Sequence, residues 1–199
     1  MKVTRAQADE NHDAIVKAAS QQMRKRGFDQ INVAEVAGAA GLTHGALYSR
    51  YGSKDALKAV ATARAFEDTV RDFGGLPVDK LLKAYLSPQH RDNAEIGCPN
   101  AALVSDVWRQ PAATREAFCD GLRKFVALVG GSLELAQLEH GDDLAVTVLA
   151  TMVGGMALSR AVRDVDQAYS DEILHGIAGQ LSKFFSKGDP KAQTESDQK

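Results

Sequence analysis

The chain has 199 residues, 44% of them hydrophobic and 25% charged, which fits a soluble protein able to bury a core as one domain or as a small head on a larger body. The net charge of −2 hides an asymmetry: residues 1–55 hold eight Lys and Arg against six Asp and Glu, and the rest hold sixteen against twenty. A positive head on an acidic body suits docking onto phosphates by one end. Residues 1–11 are polar without an apolar core, so no signal peptide is expected there. The apolar run Leu144 to Leu158 reads as too short to span a bilayer, so no membrane is expected and the cytoplasm is the expected location. Cys98 and Cys119 cannot make a disulfide framework, and the five scattered histidines offer no zinc spacing, so neither metal nor cofactor is expected.

Apolar periodicity is helical throughout. Ile15, Ala18, Ala19, Gln22 and Met23 predict an amphipathic helix over 9–27, ended by Gly27 with Phe28 folded back onto it. Short helices follow near 33–39 and 44–50, then a long one from Lys54 to Phe73, stopped by Gly74, Gly75 and Pro77. Further helices are expected near 78–86, 99–109, 112–136, 142–163 and 170–186, with a loop at 87–97. The polar tail 188–199 is expected to be disordered.

The segment from Asn32 to Tyr48 carries the most specific spacing. Asn32 can cap a helix, with Glu35 three residues on to complete a capping box. Val33, Val36, Ala37 and Ala40 give that helix its buried face, Gly41 allows a sharp turn, and Leu42 plugs it. Thr43 caps the next helix, whose Leu47 and Tyr51 point back to the core. A generic helical hairpin is the plain alternative. Together with Gly27-Phe28 and the run Leu47-Tyr48-Ser49-Arg50-Tyr51-Gly52-Ser53-Lys54-Asp55-Ala56-Leu57, this segment resembles the signature of the TetR/AcrR family over about residues 10–57. The resemblance implies an all-α protein with a three-helix, helix-turn-helix DNA-binding domain at 1–55 and a helical ligand-binding and dimerisation domain at 56–187. It also implies a homodimer that represses transcription until a ligand relieves it.

Ser53 should cap the fourth helix and leave Lys54 in its first turn, where a cation opposes the helix dipole at a cost of roughly 0.3–1 kcal/mol. A phosphate docked there reverses the sign, because free N–H groups and Lys54 then face one anion. The resemblance adds Tyr48 and Arg50 as phosphate contacts and turns Thr43, His44, Gly45 and Ala46 toward base edges, the small pair suiting close approach and thymine methyls. Asn32 completes the expected DNA-binding set. Core packing for Tyr48 and a solvated charge for Arg50 are the alternatives. Asn32 and Ala34 depart from the family's usual Ser/Thr and polar or basic residue, and only His44 and Arg50 are long polar readers on this helix.

In the body, Leu149, Met152, Val153 and Met156, with Val146, Val148 and Leu158 on other sides, make a helix apolar nearly all round. Such a helix is buried on two faces. Gly154, Gly155, Gly176 and Gly179 permit close backbone approach, either across a twofold dimer interface or within the chain. Phe66, Val70, Tyr85, Leu103, Val107, Trp108, Phe118, Met152 and Met156 lie on inner stripes as core or as walls of an apolar cavity. Cys98, in Gly97-Cys98-Pro99, enters a helix and joins this set either as a reactive thiol or as a structural one, with mid-helix Cys119 expected to be packed and inert. The function expected is a repressor on a double-stranded, pseudo-palindromic operator, released by a small apolar or electrophilic effector. The same fold without sensing is the rival. An enzyme is disfavoured, since no nucleophile–base pair or phosphate loop is visible.

Overall fold

The computed structural model describes residues 4–138 and 142–187, so the expected disordered tail, 188–199, lies outside the described residues. Those residues form ten α-helices and two 3-10 turns with no strand, as the apolar periodicity requires. The packing divides into two units. The first takes the chain up to Arg71 with Ala94–Arg123, and the second takes Asp72–Asn93 with the chain from Lys124 onward.

In the first unit, α1 (Arg5–Arg26) starts four residues earlier than its apolar spacing implies, because Thr4 accepts a hydrogen bond from the Gln7 N–H. It ends where Gly27, at φ +90°, donates back to the Met23 carbonyl. Phe28 then opens a 3-10 turn, Phe28–Gln30, and is buried. Helix α2 (Val33–Ala39) buries Val33, Val36 and Ala37. It stops in a Schellman turn: the Leu42 N–H reaches the Ala37 carbonyl, the Gly41 N–H reaches Gly38, and Gly41 sits at φ +65°. Helix α3 (His44–Tyr51) follows, with Leu47 fully buried. Helix α4 (Lys54–Phe73) lays Leu57, Ala61, Ala65 and Phe66 on this core.

Residues 99–109 do not form the single helix expected. Helix α7 (Pro99–Leu103) ends after five residues, and Val107–Arg109 makes a separate 3-10 turn. Around the break, Trp108 donates from Nε1 to the Ser105 carbonyl at 3.0 Å, and Arg109 pairs with Asp106 at 2.7 Å. Helix α8 (Ala112–Leu135) then returns Phe118 to the core, its ring 5.1 Å from that of Phe66 in an edge-on pair.

The second unit holds α5 (Val78–Tyr85), α6 (Pro88–Asp92), α9 (Asp142–Val162) and α10 (Gln167–Lys187). The expected loop at 87–97 thus contains one helical turn, capped by Ser87, which accepts from the His90 N–H. Arg91 is buried; it donates to Asp92, Ser170 and Asp171 and so ties α6 to α10. The Asp92 carboxyl is held below the ordinary carboxylate range chiefly by its hydrogen bond from Arg91. Its stabilising contribution is therefore complete above that range and is lost as pH falls through the lowered value. Helix α9 corrects one expectation: by length and composition 143–162 is apolar enough to cross a bilayer. Ala145, Val148, Leu149, Met152 and Met156 on it are nevertheless buried against protein.

Gly121 sits hard against Phe66. A Cβ there would lie 2.1 Å from Cδ2 of Phe66, and Phe66 is itself closed in by Phe118. Gly121→Ala should cost about 1–3 kcal/mol despite alanine's better helix propensity. Gly131 on the same helix meets nothing within 4 Å, and Gly131→Ala should stabilise by roughly 0.5–1 kcal/mol. Paired urea melts that moved both variants in the same direction would contradict this packing.

Candidate nucleic-acid interface

Helices α2 and α3 present their polar edge on a rigid base. Asn32 accepts from the Ala34 and Glu35 N–H groups at 3.0 and 3.2 Å, so the cap is as expected. The box closes differently. Glu35 takes the Asn32 side-chain amide at 3.0 Å, and the Asn32 backbone N–H goes to Gln22 Oε1 at 2.9 Å. Gln22 and Arg26 both donate to Glu35, which clamps the start of α2 to α1. Asn32 is thus occupied as a structural cap.

Thr43 accepts from the Ala46 N–H at 3.3 Å and starts α3. Thr43, His44, Gly45, Ala46 and Arg50 are exposed, while Leu47 on the opposite side is buried. Tyr48 is half-buried against the core, its ring 4.8 Å from that of His44. Tyr51 meets His12 Nδ1 at 2.7 Å through its hydroxyl, and burial pushes its pKa up. Arg50 donates to the Ala8 carbonyl at 3.0 Å, which holds it across α1 rather than free in solvent. Ser53 accepts from the Ala56 N–H at 3.1 Å and caps α4 as expected. Lys54, in the first turn, donates to the Asp29 carbonyl at 2.9 Å. The arrangement is an exposed reading helix flanked by the N-terminus of a second helix and its lysine, and it can hold a phosphate beside a groove.

The expected cavity walls do not come together as one set. Phe66, Leu103 and Phe118 are buried in the first unit's core with Val107 packed against it, and Val70 is half-buried. Tyr85, Met152 and Met156 are fully buried in the second unit. The three cavities described, of about 280, 440 and 380 Å³, are lined by other residues of the second unit. Trp108 is corrected outright. It is 65% exposed, because the helix meant to carry it inward ends at Leu103, and Arg109 covers its ring at 4.4 Å. Cys98 does stand at the start of the helix entered by Pro99, though without a side-chain cap bond, and it is buried with Asn100 Nδ2 donating to its sulfur, whereas Cys119 is exposed. The expected order of thiol accessibility is reversed, because Gly97 is pinned inward by Arg24, which donates to its carbonyl at 3.0 Å.

The fold defines an all-α protein with a helix-turn-helix head. Residues 15–60 match the family described as bacterial regulatory proteins, tetR family. No curated protein sequence matches the chain. Among solved structures, Escherichia coli NemR in its reduced form is similar at a TM-score of 0.70 and 18% identity, over 87% of this chain and 95% of that one. A TetR transcriptional regulator from Legionella pneumophila is similar at 0.67 and 18%, over 92% and 99%. One from Cytophaga hutchinsonii is similar at 0.67 and 15%, over 92% and 98%. Residues 15–60 thus match the family's N-terminal domain, and the chain as a whole shares the fold of these solved structures.

With a maleimide reagent on the native protein, Cys119 should be modified well before Cys98, since a buried thiol waits for local opening. Emission from Trp108, the one tryptophan of the sequence, should be that of a hydrated indole and readily quenched by acrylamide. Prior labelling of Cys98, or a blue-shifted and protected tryptophan, would contradict the packing of 94–110.

Proposed function

We propose that the protein is a repressor that binds a pseudo-palindromic operator as a homodimer in the cytoplasm and is released by a small apolar effector. The observation that carries the DNA-binding part is the face of α3: five exposed residues over a fully buried Leu47, beside the capped N-terminus of α4. Thr43, His44, Gly45 and Ala46 are assigned to base edges, and Tyr48, Arg50 and Lys54 to phosphates.

The homodimer is supported by α9 and α10. Val146, Leu158, Tyr169 and Phe184 are large apolar side chains left exposed on this helix pair. Gly154, Gly176 and Gly179 meet nothing within 4 Å in the chain, leaving room for a partner's backbone. Gly155 serves a different purpose: a Cβ there would lie 2.6 Å from Ile177 Cδ1, so it lets α9 and α10 meet within one chain. An apolar hollow of about 380 Å³ bounded by Thr151, Gly176, Ile177, Gln180, Leu181 and Phe184 lies on the same pair.

A second reading, a DNA-binding dimer that senses nothing, is supported by the expected cavity walls, none of which lines one of the three cavities described. The electrophile version of sensing loses its support with Cys98 buried.

Lys54→Ala should weaken binding to all duplexes alike and lower the slope of log affinity against log salt by about 0.9, the loss of one phosphate contact. His44→Ala should instead change base preference. The wild type should sediment as a dimer at micromolar concentration. No duplex binding at low salt, or a folded monomer, overturns this reading; a panel of apolar compounds that shifts neither Tm nor DNA affinity favours the version without sensing.

A further inference from the structure

The buried ammonium of Lys58 is not among the expected DNA contacts, and its surroundings give it a task. Lys58 lies one helical turn after Lys54 on α4, so both reach the same side. Its side chain is 7% exposed, and its ammonium makes two hydrogen bonds and a further ion pair. Asp29 Oδ1 lies at 3.1 Å, Gln110 Oε1 at 2.9 Å and the Asp55 carboxylate at 3.5 Å. Asp29 is held from both sides, by Lys54 at its carbonyl and by Lys58 at its carboxylate. Its own carboxylate is 83% exposed, and its pKa is lowered chiefly by the hydrogen bond from Lys58, with Lys54 contributing through charge.

Four charges therefore crowd the N-terminus of α4: Lys54 and Lys58 against Asp29 and Asp55. They balance only while Lys58 is present. Asp29 lies well inside a Debye length of Lys54, about 10 Å at 0.1 M salt, so an unanswered carboxylate there competes with any phosphate for the same lysine and the same helix end.

We propose that Lys58 is a positioning residue for DNA binding: by neutralising and anchoring Asp29 it keeps Lys54 and the α4 N-terminus available to a phosphate. Gln110 completes the joint and ties the 3-10 turn of Asp29 to the start of α8. Lys58 itself, being buried, touches no DNA. The inference rests on the DNA-binding reading above.

The test measures binding of a labelled mixed-sequence duplex by fluorescence anisotropy, at low and high salt, with thermal melts alongside. It compares wild type, Lys58→Met, Asp29→Asn and the double variant. Lys58→Met should bind about tenfold more weakly at low salt, with the deficit shrinking as salt rises. Asp29→Asn, an exposed and conservative change, should bind at least as tightly as wild type. The double variant restores the charge balance and should recover most of the loss, even where its melting temperature stays as low as that of Lys58→Met. A merely structural lysine gives a different pattern, in which binding follows the melting temperature and Asp29→Asn rescues nothing. That pattern, or Lys58→Met within twofold of wild type, overturns the proposal. A wild type that binds no duplex at low salt overturns the DNA-binding reading itself.

Discussion

Helix α4 carries two charges into the interior, Lys58 and Asp68, and much of the first unit is arranged to answer them. A buried charge is tolerated only when it is paired and its remaining valences are satisfied. Asp68 is met by Arg64 at 2.9 Å, by Arg71 at 3.1 Å and by Arg24 of α1 at 3.8 Å. Arg24 in turn donates to the carbonyls of Ser20 and Gly97. Lys58 draws in Asp29 and Gln110. Through these two residues α4 fixes the entry to α7, the approach to α8 and the turn between α1 and α2. Removing either partner of such a pair strands the other, so these ties set position more than they add stability.

The reading surface inherits its order from that frame. Leu47 can stay wholly buried, with Thr43 to Ala46 in solvent, only if α3 cannot roll on its neighbours. The Schellman turn at Gly41 and the Asn32–Glu35–Gln22 clamp remove that freedom. Exposure on this face is thus a consequence of burial beneath it, and the short side chains of Gly45 and Ala46 keep the approach to a groove open.

Most of this was legible from local rules. The caps at Asn32, Thr43 and Ser53, the left-handed Gly41 and the inward Leu47 each depend on neighbours within four residues, and all hold. What failed depends on distant packing. An apolar spacing over 99–109 does not reveal that the helix ends at Leu103, which leaves Trp108 exposed. The Gly97-Cys98-Pro99 run leaves Cys98 as either a reactive or a structural thiol, and its burial comes with a tie from Arg24, far away in sequence, to the Gly97 carbonyl. The contact of Gly121 with Phe66 and the joint at Lys58 have no sequence signature, since Asp29 and Gln110 stand 29 and 52 residues from the lysine.

The charge count of the head gives these long-range ties their weight. Its eight cations exceed its acids by only two, and several are already committed. Arg24 is buried, Arg26 pairs with Glu35 at 3.1 Å, and Arg50 and Lys54 each hold a backbone carbonyl. Phosphate binding therefore cannot rest on an excess of positive charge. In the proposed binding mode it comes from a few groups held in register, with Lys54 and the N–H groups of α4 exchanging an internal carbonyl for a phosphate oxygen. With so few cations engaged, each commands a large share of the affinity. A carboxylate left unanswered beside one of them would cancel as much as a lost contact, and that is the leverage proposed for the interior Lys58 at an exterior surface.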